Sequence, residues 1–218
     1  MMWHLLPGAL FDTLYMVIVS TFFALLIGLP LGILLTLTAK GGLKESLWFH
    51  HILSFIVNVG RSIPFAILII AIFPFTRLIV GTSIGTTASI VPLTITAAPF
   101  LARLIEDVLK GVSRSTIDAA VVMGSSTRKI VWRLLLPETL PAIVEALTLT
   151  MVTLIGYSAM AGLVGGGGLG KVAIQYGYQR FDGGVMFMTL LVLLALVWIV
   201  QWIGNAISYS IRKKRGLL

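Results

Sequence analysis

Apolar residues run along this chain in long blocks, and charged residues mark where each block stops. No Asp, Glu, Lys or Arg falls between Asp12 and Lys40, Arg77 and Arg103, Glu145 and Lys171, or Asp182 and Arg212. A helix crosses a hydrocarbon core of roughly 30 Å with about 20 apolar residues, and each block is longer than that. A fifth block, 47–76, is interrupted by Arg61. An intramembrane Arg costs roughly 2.5–3.5 kcal/mol on insertion scales. The surrounding Leu, Ile, Phe and Val offset that cost, with Arg61 facing the protein interior or snorkelling. The pattern predicts an all-α polytopic membrane protein with five transmembrane helices in one domain, 1–218. The spans are expected at about 13–38, 47–76, 79–102, 146–165 and 184–208, with four spans if 47–60 lies on the membrane surface. Glycines end the fourth near Gly162–Gly165.

Composition excludes the other classes. Charged residues are 11% and hydrophobic residues 58%; an ordinary soluble domain carries about 25% charge. So apolar a chain does not stay disordered, and so few charges do not coat a soluble globule. The absence of cysteine excludes disulfides and thiol chemistry. Residues 1–12 hold no Lys or Arg, so no removable signal peptide is expected.

The net charge of +8 is a topology signal, because the cations flank the apolar runs. Five spans place Lys40, Lys44, Arg103, Lys110, Arg114, Arg128, Lys129, Arg133 and the Arg212–Arg215 cluster on one side. Only Arg77, Lys171 and Arg180 fall on the other. The cation-rich side is cytoplasmic, which puts the C-terminus inside and the N-terminus outside.

Pro30, Pro64, Pro92 and Pro99 fall within predicted spans, where each removes a backbone hydrogen bond and favours a kink. Gly28 and Gly32 have the spacing that permits close helix contact.

The longest polar stretch, 103–145, exceeds what a connector needs. Ser115 or Thr116 is expected to N-cap a short helix carrying Ile117–Met123, with Gly124 as its break. A second helix begins near Ser126 or Thr127. It sets Ile130, Val131 and Leu134 opposite Arg128, Lys129 and Arg133, and Leu136-Pro137 is expected to stop it. Glu106 and Asp107 are expected to be solvated. Such a knob is either a docking surface or an amphipathic element on the headgroups.

Asp118-Ala119-Ala120, three residues, Gly124, nine residues and Leu134-x-Leu136-Pro137 resemble the Glu-Ala-Ala loop of type I ABC importer permeases. The chain has Asp for Glu and Leu for Ile at the pattern's positions. Further stretches are similar to the methionine importer permeases: Arg61–Phe65, GTSIG at 81–85, IVPLT at 90–94, AAPFLAR at 97–103, GYSAMAG at 156–162 and QYGY at 175–178.

The resemblance implies a permease homodimer that moves an amino acid, methionine above all. It implies two partner ATPase subunits that bind ATP and Mg, and an external substrate-binding protein. The loop Asp118, Ala119, Ala120, Gly124, Leu134, Leu136 and Pro137 would then contain the coupling helix seated in the ATPase. Arg61, Ser62, Tyr157, Ser158, Met160 and Gly162 are candidates for the substrate pathway or its gate. No cofactor is expected in this chain.

Other motifs carry less. Gly165, Gly170 and Lys171 match a phosphate loop, but Val172 supplies no hydroxyl for Mg²⁺. Gly165, Gly167 and Gly170 match a dinucleotide fingerprint without its strand, and a flexible turn or gate is the expected role. His4, His50 and His51 lack accompanying carboxylates and are read as interface residues rather than metal ligands; Asp12 and Asp182 are assigned no catalytic role. A stand-alone channel, a secondary transporter or an intramembrane enzyme would need polar groups inside the spans, where Arg61 is the sole charge. None of these would use the Asp118–Pro137 pattern.

Overall fold

The computed structural model describes residues 5–215, all helices and connecting turns, with no strand among the described residues. His4 lies outside them. Helix α1 (Leu5–Thr38), α5 (Thr86–Lys110) and α8 (Leu136–Ala161) form the centre; α2 (Leu47–Ser62) lies against α5, and α10 (Gly183–Lys214) against α8. Between them lie the short helices α3 (Phe65–Ala71), α4 (Phe73–Val80), α6 (Arg114–Val122), α7 (Thr127–Ile130) and α9 (Gly168–Val172), the last running into a π-helical segment, Ala173–Tyr178. Met16, Leu35, Leu93, Leu101 and Ile105 are fully buried in the α1–α5 contact. Gly28 and Gly32 make that contact close. A methyl group on Gly32 would sit 2.7 Å from the Ala102 carbonyl oxygen and the Ile105 side chain. The Gly28–Gly32 spacing therefore serves packing.

Helix α1 continues through Pro30 and α5 through Pro92 and Pro99. The chain breaks instead at Pro64. Ile63 takes the extended backbone that a following proline imposes (φ −77°, ψ 122°), and α3 leaves α2 at 99°. The span expected over 47–76 is thus a bent pair of helices, broken at Pro64, one of the prolines expected to favour a kink. By length and composition, α1, α5, Thr127–Val164 and α10 suit a membrane crossing, and the bent α2–α3 pair makes up to five.

The third helix is displaced from its expected 79–102. Gly81 ends α4 in the left-handed region (φ 84°), α5 starts only at Thr86, and it continues past Arg103 to Lys110. Continuation is possible because α5 neutralises its own acid. Glu106, expected to be solvated, is fully buried, with Arg103 at 2.7 Å and Lys110 at 2.6 Å. Cations three residues before and four after it lie on the same helical face, and a paired carboxylate can be buried where a lone one cannot.

The helix expected to stop at Leu136-Pro137 also continues. A π-helical turn, Val131–Leu135, joins α7 to α8 without interruption, and Pro137 lies directly after that turn. The wide turn absorbs the irregularity that proline would otherwise impose. Of the polar segment 103–145, residues 103–110 therefore extend α5 and 127–145 lead into α8, leaving 111–126 as the protruding part.

Candidate functional site

The protruding segment is built around α6. Ser113, rather than Ser115 or Thr116, caps it, accepting the Thr116 N–H at 3.3 Å. Gly124 follows with φ 73°, the left-handed conformation that glycine adopts without cost. No residue of α6 is buried. Val122 is 87% and Met123 77% exposed, an apolar tip that the spacing of Asp118–Pro137 did not reveal. Asp118 is exposed and pairs with Arg114 at 3.3 Å, an ion pair of little stabilising value. Arg114 matters more as a tether: its guanidinium donates to the Gly41 carbonyl in the α1–α2 turn. The Gly41 N–H donates to Glu45 Oε2 at 2.7 Å, which fixes that turn in place. Ala119 is exposed, whereas Ala120, Leu134 and Leu136 are half-buried against the core. The Pro137 carbonyl accepts from Arg215.

A cavity of about 460 Å³ lies where α2, α5 and α8 converge. Each helix contributes one helical stripe. From α2 come Asn58, Arg61 and Ser62; from α5 come Thr96, Ala97 and Phe100; from α8 come Thr150, Thr153, Leu154 and Tyr157. The volume lies in the range of small-molecule sites. Tyr157 is held by Phe65, whose ring stacks on it at 4.8 Å with an interplanar angle of 9°. Arg61 has no ion-pair partner among the described residues, and no acid lines the cavity.

Of the candidate pathway residues, Arg61, Ser62 and Tyr157 come together here. The other three do not line this space. Ser158 is buried and donates to the Ile155 carbonyl at 2.7 Å. Met160 is 38% exposed. Gly162 is packed directly on the Gly170–Lys171 backbone. Asn58, Thr96, Thr150 and Thr153 belong to the lining, although no motif singled them out. Polar residues at helical spacing within an apolar run were the available signal: Asn58, Arg61 and Ser62, or Thr150, Thr153 and Tyr157.

The glycine-rich stretch differs from the flexible turn expected of it. Gly162, Gly166, Gly167, Gly168 and Gly170 are buried. The Leu169 N–H donates to Thr13 Oγ1 at 2.9 Å, and the Gly85 N–H to the Gly165 carbonyl at 2.9 Å. Gly170 contacts the Ala159 backbone so closely that no pyrophosphate fits against it. The phosphate-loop match therefore does not describe a nucleotide site. His50 and His51 donate ring N–H groups to the Leu35 and Leu47 carbonyls. Asp182 caps α10, accepting from the Val185 N–H at 3.1 Å.

Residues 28–213 match the family model of the binding-protein-dependent transport system inner membrane component. A relative from Vibrio cholerae, named a probable D-methionine transport system permease protein MetI, is 52% identical over 203 residues, covering 93% of this chain and 90% of that one. The D-methionine transport system permease protein MetI of Escherichia coli is 50% identical over 162 residues, 74% of each chain. A solved structure described as an inward-facing conformation of the MetNI methionine ABC transporter superposes with a TM-score of 0.95 at 47% identity, covering 96% of this chain and 97% of that one. An amino acid ABC transporter structure shares the fold at a TM-score of 0.71 and 17% identity.

Proposed function

The chain belongs to the family of binding-protein-dependent transport system inner membrane components, and from that premise we propose that it is the permease subunit of an ATP-driven importer for methionine. It carries the solute and leaves hydrolysis to a separate ATPase. The observation that carries this reading is α6: a helix with no buried residue of its own, an apolar tip, and a tether to the α1–α2 turn. Only Ile117 and Ala120 of α6 lean on the core, and a helix that leaves its apolar tip in the open is built to be covered by another chain.

In this reading two permease copies enclose the pathway at their interface, since one bundle of this size encloses little space. Each copy seats α6 in one ATPase, which holds ATP and Mg. Asp118, Ala119, Ala120, Gly124, Leu134, Leu136 and Pro137 form the coupling loop. An external substrate-binding protein delivers the amino acid to the outer face. The distribution of cations supports a cytoplasmic α6 and C-terminus and an N-terminus outside a bacterial inner membrane. ATP drives transport by binding the two conformations with different affinity, drawing the paired knobs together and rocking the helices. Arg61, Ser62 and Tyr157 line the path; Ser158, Met160 and Gly162 belong to the gate beside it.

Vesicles containing the permease, its ATPase and the binding protein, supplied with a panel of labelled amino acids, test this directly. Methionine uptake that requires ATP is expected. Uptake without ATP, or ATP-dependent uptake of other solutes only, would overturn it.

A further inference from the structure

The cavity between α2, α5 and α8 has a division of hydrogen-bonding labour that reads as a receptor for a zwitterion. Four of its hydroxyl groups spend their protons on their own helices. Ser62 donates to the Asn58 carbonyl at 2.8 Å, Thr96 to Pro92 at 3.0 Å, Thr150 to Ala146 at 2.8 Å, and Thr153 to Leu149 at 2.9 Å. With their donors used, these oxygens have only lone pairs to offer the cavity. They accept, and a group rich in donors suits them. Arg61 is the converse: five N–H donors, a permanent charge and no acceptor.

Among the described residues, Arg61 is also held without a carboxylate of its own. It lies in the last turn of α2, where the negative end of the helix dipole favours a cation. Its fork therefore remains available, and a planar carboxylate is the group that matches it in two parallel hydrogen bonds. Ala97, Phe100 and Leu154 make an apolar patch of the wall beside the Tyr157 ring, and Asn58 completes the lining on the α2 side.

We propose that Arg61 binds the α-carboxylate of the transported amino acid in this cavity, while the acceptor oxygens of Ser62, Thr96, Thr150 and Thr153 receive its ammonium group. This rests on the amino acid importer reading and adds the orientation of the cargo within the permease. The apolar patch of Ala97, Phe100 and Leu154 takes the side chain. Selection in the permease thus falls on the zwitterionic head, and side-chain selection falls to the binding protein.

The test is done on the assembled permease–ATPase complex without the binding protein, so that the latter's specificity does not intervene. Labelled methionine is titrated against 3-(methylthio)propylamine, the same molecule without its carboxylate. The wild-type complex is expected to bind methionine at least about tenfold more tightly than the amine. Arg61→Met should abolish that preference and Arg61→Lys retain most of it, with co-elution of the ATPase reporting assembly. Equal binding of the two ligands by the wild-type complex, no saturable methionine binding, or a preference that survives Arg61→Met would overturn the proposal. The wild-type comparison needs no variant, so a misassembled mutant does not weaken it. Failure of the importer reading has a separate signature: wild-type vesicles with binding protein would then show no ATP-dependent amino acid uptake at all.

Discussion

The α6 knob and the 162–170 stretch both depend on glycine, for opposite reasons. Gly124, after α6, has φ 73° and open space around the position of a Cβ. It is required for its torsion. Gly162 and Gly170 have backbone pressed on the positions a Cβ would take, so they are required for their volume. The knob keeps its apolar tip, Val122 and Met123, outside the bundle, and the glycine stretch brings its backbone inside. A surface meant for a partner gains from an exposed tip. A segment that joins α8 to α10 while touching α1 and α5 can do so only by giving up side chains. The two regions should therefore fail differently when changed.

The largest effect is expected in the packed region. Gly162→Val places branched carbon where Gly170 and Lys171 run. Overpacking of a filled interior costs about 1–3 kcal/mol, and here the obstacle is backbone, which yields less than a side chain. Little monodisperse protein should be recovered from membranes in gel filtration. Recovery at the wild-type level would mean that the stretch is looser than its buried glycines imply.

The knob should break without unfolding anything. Val122→Asp alters a side chain that is 87% exposed, so the isolated permease should keep its thermal midpoint. Burying an unpaired carboxylate in the ATPase contact is costly, and association should weaken by about tenfold or more (roughly 1.4 kcal/mol) in a pull-down titration. An unchanged affinity would remove the tip from the docking surface.

This contrast shows how far sequence reading extends. The helices were legible because apolar blocks between charges have one meaning at such lengths. Gly124 was legible too, since a glycine between two short amphipathic patterns signals a turn. The glycine stretch was not. A run of glycines looks the same whether it is loose or compressed, and only the neighbours, Ala159 and Thr13 among them, decide. Glu106 is a related case: its two cations are visible in sequence, but the packing of α1 on α5, where Gly32 meets Ala102 and Ile105 next to it, is not. The cavity was half legible. Arg61 was conspicuous as a charge in an apolar run, whereas Thr96, Thr150 and Thr153 were hidden by threonine's ordinary habit of bonding its own helix.

An intermediate effect separates tight packing from tethering. Thr13 is fully buried, donates to the Ala9 carbonyl at 3.0 Å and accepts from Leu169 N–H at 2.9 Å. Thr13→Val keeps the shape but leaves the Leu169 N–H unpaired, at a cost of about 1–3 kcal/mol. A lower thermal midpoint with unaltered ATPase binding is expected. Loss of ATPase binding at full stability would mean that the two regions are coupled rather than separate.

The smallest effect probes the torsion alone. A Cβ in the left-handed region costs roughly 1–2 kcal/mol, with Asn the side chain that best tolerates it. Nothing surrounds Gly124 to clash with either residue, so Gly124→Ala should act only on the population of knobs poised to dock. A penalty near 1 kcal/mol corresponds to about a fivefold loss. It should appear as reduced methionine uptake per ATP hydrolysed, while thermal stability of the permease stays unchanged. Gly124→Asn should recover much of that loss despite its greater bulk. If Asn is instead the more damaging of the two, volume rather than torsion governs Gly124, and the distinction between the two glycine regions disappears.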